Sequence, residues 1–73
     1  MEVDRFQELN AFIAVVEAGG FTAAARRTGD SQSAISKAIG ALERRLGVAL
    51  FIRSTRSVTL TDQGQRYYDR TKP

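Results

Sequence analysis

The chain has no cysteine and no histidine, a single proline, and no long apolar run. Each absence removes a class of answer. Without cysteine no disulfide braces the fold, which suits a reducing compartment; without cysteine or histidine the two commonest zinc-ligand types are missing, so a zinc finger is excluded and no metal or other cofactor is expected. The longest apolar stretches, such as residues 11–16, fall far short of the run of about 20 that a membrane span requires. Met1-Glu2-Val3-Asp4 lacks the basic start of a secretory signal, so a cytoplasmic protein with no membrane association is the expectation. At 73 residues there is room for one small domain with a modest core. No internal repeat or low-complexity segment breaks it.

What is present is an uneven charge. The net charge of +3 is ordinary, but residues 1–20 set Arg5 against Glu2, Asp4, Glu8 and Glu17, whereas residues 21–60 set Arg26, Arg27, Lys37, Arg44, Arg45, Arg53 and Arg56 against only Asp30 and Glu43. Concentrated positive charge points to a polyanionic partner. An ordinary solvated surface fits a modest basic excess equally well, so charge alone does not decide.

Periodicity organises the chain. Leu9, Phe12, Ile13 and Val16 recur at helical spacing, with Phe6 a turn earlier, while Glu8, Asn10 and Glu17 point elsewhere. Gly19-Gly20 ends this helix. Thr22 is a suitable N-cap for a short second helix built on Ala23-Ala24-Ala25-Arg26-Arg27, which Thr28-Gly29-Asp30 breaks. Either Asp30 or Ser31 caps the third helix. Its buried stripe reads Ile35, Ile39, Leu42 and Leu46, with Ala38 beside it; Gln32, Ser33, Ser36, Lys37 and Gly40 lie opposite. Short hydroxyls, one amide, one cation and a glycine allow close approach to base edges and phosphates, and glutamine can pair bidentately with adenine. For an isolated helix such a face is equally a solvated one.

Gly47 closes the third helix. Residues 48–52 and 58–60 read as two short strands around Arg53-Ser54-Thr55-Arg56-Ser57, with Leu50, Phe51, Val58 and Leu60 facing the core. A basic hairpin tip of this kind can lie along a phosphate backbone or enter a minor groove. Arg53 has an alternative, an ion pair with Glu43. Thr61 caps a fourth helix with Asp62 in its electropositive first turn, and Tyr67 and Tyr68 on it read as packing or interface residues. The fold class is therefore mainly α with a small β-hairpin: a winged helix-turn-helix with a three-helix core over residues 1–60 and the start of a linker helix over 61–73.

Two other classes of function compete. An enzyme has little support: no histidine or cysteine, no phosphate-cradling glycine loop, and scattered carboxylates. A protein-interaction module is more credible, since a basic wing can pair with an acidic surface.

Five ordered segments then carry a family resemblance: Gly20-Phe21-Thr22-Ala23-Ala24-Ala25, Ser31-Gln32-Ser33-Ala34-Ile35-Ser36-Lys37, Leu42-Glu43-Arg44-Arg45-Leu46-Gly47-Val48-Ala49-Leu50-Phe51, Arg53-Ser54-Thr55-Arg56 and Leu60-Thr61-Asp62-Gln63-Gly64. Together they resemble the N-terminal domain of the LysR-type bacterial transcriptional regulators. The resemblance implies sequence-specific binding of double-stranded DNA, with Gln32, Ser33, Ser36 and Lys37 at base edges. It implies Thr22, Arg53 and Arg56, with Ser54 and Thr55 at the same wing tip, on the backbone. It also implies a homodimer joined through the fourth helix, where Tyr67 and Tyr68 stand, and an effector-binding domain of periplasmic-binding-protein type that is absent from these residues. Two departures stand out. The family usually has an apolar residue where Thr28 and Asp30 stand, and proline is common where Ser33 stands.

Overall fold

Asp4 starts the first helix by capping it. In the computed structural model, which describes residues 4–54 and 58–72, its Oδ1 accepts from Gln7 N at 2.7 Å while Gln7 Oε1 accepts from Asp4 N at 3.2 Å. This reciprocal capping box satisfies two N–H groups that the first turn leaves open. Helix α1 (Arg5–Ala18) follows, then α2 (Phe21–Thr28), α3 (Gln32–Leu46), strands β1 (Phe51–Arg53) and β2 (Val58–Leu60), and α4 (Asp62–Thr71). Gly19, Gly29 and Gly47 close the first three helices in the left-handed conformation, as expected at those stops.

Helices α1, α2 and α3 pack on one another around Phe12, Val15, Ala24, Ile35, Ile39 and Leu42, and Leu50 and Phe51 complete the core from the hairpin side. The strands pair antiparallel with Phe51 opposite Leu60 and Arg53 opposite Val58. The first strand thus begins later than residues 48–52 suggested, because residues 47–49 stay exposed and only Leu50 and Phe51 reach the core. Val58 and Leu60 pack against that core half-buried.

Two expected faces are corrected. On α1 the buried set is Glu8, Ala11, Phe12, Ala14 and Val15, so the stripe lies one residue earlier than the Leu9, Phe12, Ile13, Val16 pattern indicated. Small residues at 11 and 14 let α1 approach its neighbours closely, whereas Leu9, Ile13 and Val16 sit at the margin and Phe6 is 72% exposed. Glu8, expected outside, is 5% exposed because Arg45 neutralises it. On α3, Leu46 is 36% exposed, so the buried stripe ends at Leu42.

Helix α4 sits on this core. Thr61 caps it by accepting from Gly64 N at 2.9 Å and donates its own hydroxyl proton to Ala49 O at 2.7 Å. Gly64 lies against the Leu50 carbonyl, where no Cβ would fit. Tyr67 meets the Phe12 ring edge-on at 5.1 Å and Tyr68 lies 6.3 Å from it, so both tyrosines pack within their own chain. The Tyr68 hydroxyl also reaches Glu17 Oε2 at 3.4 Å. Burial, reinforced by the Glu17 carboxylate, holds that phenol above its ordinary pKa.

Candidate nucleic-acid interface

Ala24 and Ala25 are buried, and their small side chains set α2 close to α3. Between the two helices, Gly29 N donates to Ala25 O at 2.9 Å and Asp30 N donates to the Thr28 hydroxyl at 3.3 Å. Hydrogen bonds thus hold this turn, and Thr28 and Asp30 border an open groove of about 560 Å³ shared with Asn10, Ala14, Ala34 and Lys37. Of the two cap candidates, Ser31 caps α3: its hydroxyl accepts from Ala34 N at 3.1 Å.

Thr22 does not cap α2. Gly20 takes the N-cap position and offers no side-chain cap, and Thr22 lies inside the first turn, where its hydroxyl donates to Gln32 Oε1 at 3.1 Å. That bond ties the start of α2 to the start of α3 across the turn. Beside it, the Ser31 and Ser33 hydroxyls share a hydrogen bond at 3.3 Å.

The outward face of α3 carries Gln32, Ser33 and Lys37 exposed, with Ser36 and Gly40 half-buried. Arg44 extends it. Its guanidinium lies 3.4 Å from where a Gly40 Cβ would stand, so the side chain folds back over the glycine on the same stripe. Arg44 was not among the expected contacts; its position four residues beyond Gly40 was the available signal. Arg26, exposed on α2, stands one turn after Thr22 on the same helix face.

Ion pairing separates the cations. Arg27 binds Glu17 at 2.6 Å, Arg45 binds Glu8 at 2.7 Å and Arg53 binds Glu43 at 3.5 Å, whereas Arg26, Lys37 and Arg44 make no ion pair among the described residues. The Glu8 carboxylate pushes the Arg45 guanidinium above its ordinary pKa.

Arg53 takes the alternative that its sequence allowed. Glu43 Oε2 accepts from Leu50 N at 2.8 Å and Phe51 N at 3.3 Å, and its other oxygen meets Arg53, whose guanidinium also lies over the Phe21 ring at 4.7 Å from the centroid. Arg53 therefore belongs to β1 and its supports, with its side chain still 45% exposed. Ser54 follows it, exposed. Thr55 and Arg56 lie outside the described residues.

Comparison with known proteins places this geometry. The chain is 47% identical over 66 residues to the transcriptional activator AaeR of Escherichia coli, covering 90% of this chain and 21% of that protein. It is 41% identical over 66 residues to the regulator CrgA of Neisseria meningitidis, covering 90% and 22%. The chain thus spans about a fifth of the length of these curated relatives. Among solved structures, the CbnR DBD–DNA complex superposes with a TM-score of 0.90 at 42% identity, covering 94% of this chain and 79% of that one. A BenM DBD in complex with catB site 1 DNA gives 0.87 at 37% identity, covering 97% and 76%. The family model described as bacterial regulatory helix-turn-helix protein, lysR family, matches residues 6–65, and the chain belongs to that family.

Proposed function

We propose that this chain binds double-stranded DNA sequence-specifically, as the DNA-binding domain of a longer LysR-type transcriptional regulator acting in the bacterial cytoplasm. Helix α3 enters the major groove, where Gln32, Ser33, Ser36 and Lys37 reach base edges; Arg26 and Arg44 meet phosphates, and the wing residues Arg53, Ser54, Thr55 and Arg56 lie on the backbone or in the minor groove. The observation that carries this reading is the make-up of the α2–α3 face: Gln32, Ser33 and Lys37 stand exposed along α3, and Lys37, Arg44 and the exposed Arg26 of α2 make no ion pair among the described residues. Unpaired cations beside short polar side chains suit a phosphate-lined groove.

The domain has no catalytic role in this reading. Among the described residues no helix is long and apolar enough to cross a membrane. In the intact regulator α4 pairs two copies into a homodimer, with Tyr67 and Tyr68 fixing α4 on Phe12 so that its outer face is presented at a set angle.

The test is duplex binding across a salt series. A log–log slope of several units, with one sequence enriched from a random duplex pool, is the expected result. Capture of an acidic protein surface without any duplex binding would instead favour an interaction module.

A further inference from the structure

We infer that Thr22 is a specificity-determining residue: by holding the Gln32 amide through its oxygen, it makes Gln32 a hydrogen-bond donor to DNA and shifts its preferred base from adenine to guanine. This inference rests on the DNA-binding reading above.

The geometry begins with the bond itself. The Thr22 hydroxyl donates to Gln32 Oε1 at 3.1 Å, joining residues ten apart in sequence, and both side chains lie on the exposed surface at the junction of α2 and α3. A glutamine amide is planar, with an acceptor oxygen on one side and two N–H donors on the other. Turning the oxygen back toward α2 leaves the Nε2 group as the outward end.

That orientation changes what the side chain reads. Bidentate recognition of adenine needs both ends at once, Oε1 accepting from N6–H and Nε2 donating to N7. Thr22 takes one of the oxygen's two lone pairs and holds the oxygen toward α2, so the Nε2 donors are the end that leads into the groove. Guanine offers two adjacent major-groove acceptors, N7 and O6, and is the base that an amide leading with its donors matches best. Adenine retains one acceptor and gains an unmatched donor facing the amide. Thr22 has the position to favour this arrangement, since it stands in the first turn of α2 and the buried Ala24 and Ala25 pack α2 against α3. Its role is positioning: it acts on the base through Gln32.

Selection from a random duplex pool tests it with four versions of the chain: wild type, Gln32→Ala, Thr22→Val and Thr22→Ser. Gln32→Ala identifies the base pair concerned by flattening the preference at one position. At that position wild type and Thr22→Ser select guanine over adenine, and Thr22→Val, which removes the hydroxyl with little change of shape, swings the guanine-to-adenine ratio about tenfold toward adenine, leaving other positions unchanged. The retained hydroxyl of Thr22→Ser and an unchanged Tm separate this effect from misfolding. A uniform loss of affinity in Thr22→Val with the ratio unchanged would overturn the inference and leave Thr22 as a backbone contact. Selection of adenine, cytosine or thymine by wild type would also overturn it, the first two because the amide would then present its oxygen, the third because the donor would have chosen a single acceptor over guanine's two. If wild type enriches no sequence at all, it is the DNA-reading function itself that fails.

Discussion

Glu8 and Arg45 stand 37 residues apart in sequence and meet across the α1–α3 contact, where Arg45 Nε and Nη2 both donate to the same Glu8 oxygen at 3.0 and 2.7 Å. The carboxylate is nearly sealed from solvent, whereas the guanidinium is 38% exposed. The two halves of the pair are therefore unequal. Removing Arg45 strands a buried carboxylate, while removing Glu8 leaves a cation that water can reach. Thermal melting of Arg45→Ala and Glu8→Ala should show the larger drop in Tm for Arg45→Ala; equal drops would mean that the pair contributes packing and no charge compensation.

Two glycines inside helices should respond oppositely to alanine. A Cβ on Gly64 would collide with the Leu50 carbonyl and press on Leu60 Cδ2 at 2.9 Å, so Gly64→Ala should destabilise by about 1–3 kcal/mol despite better helix propensity. On Gly40 the same methyl meets only the flexible Arg44 guanidinium at 3.4 Å, so Gly40→Ala should stabilise by about 0.5–1 kcal/mol, a rise in Tm of a few degrees. Its duplex affinity should fall, because the methyl stands on the face offered to the groove. Calorimetry and gel shift on the same samples check both.

Gln32 should act on sequence preference more than on binding as such. Gln32→Ala is expected to cost about 1–3 kcal/mol on the preferred duplex and little on random DNA. Titrations on the two duplexes that fall in parallel would reassign Gln32 to the backbone or to folding.

The wing and the recognition face should separate in their salt dependence. Lys37→Ala and Arg44→Ala should each lower the slope of log affinity against log salt by about 1 with Tm unchanged. Arg53→Ala should lower Tm as well, since it removes the partner of Glu43 and the cation over Phe21. A change in slope for Arg53→Ala without any loss of Tm would show that its internal contacts contribute nothing.

Two copies should prefer two-fold DNA. With half-sites separated by about one helical turn or a multiple of it, sedimentation on a palindrome should show cooperative loading that a single half-site lacks, because the duplex holds both α4 helices close together. Independent loading, with no gain in affinity for either copy, would remove α4 from the pairing role.

Much of the fold was legible in local signals. Gly19, Gly29 and Gly47 end helices where they stand, Thr61 caps α4, and residues 58–60 form a strand, because each of these features depends on neighbours within about one turn of chain. The outward face of α3 was legible for the same reason: once Ile35, Ile39 and Leu42 are buried, Gln32, Ser33 and Lys37 must point away. Periodicity alone, however, set the stripe of α1 one residue late, on Leu9, Phe12, Ile13 and Val16, because small Ala11 and Ala14 carry little apolar signal until α2 and α3 pack against them.

Rules acting along the chain set the period of each helix, the stops between them, the hairpin, and the residue types offered on the outward face of α3. Packing chose the partners those residues take: Glu8 inside with Arg45, Arg53 held by Glu43 and Phe21, both tyrosines on Phe12, and Thr22 on Gln32. The physical reason is range. Caps and periodicity are set by steric and hydrogen-bonding rules acting within a few residues, whereas an ion pair or an amide's orientation is chosen by whatever side chain the packed core brings within about 3 Å, from anywhere along the chain.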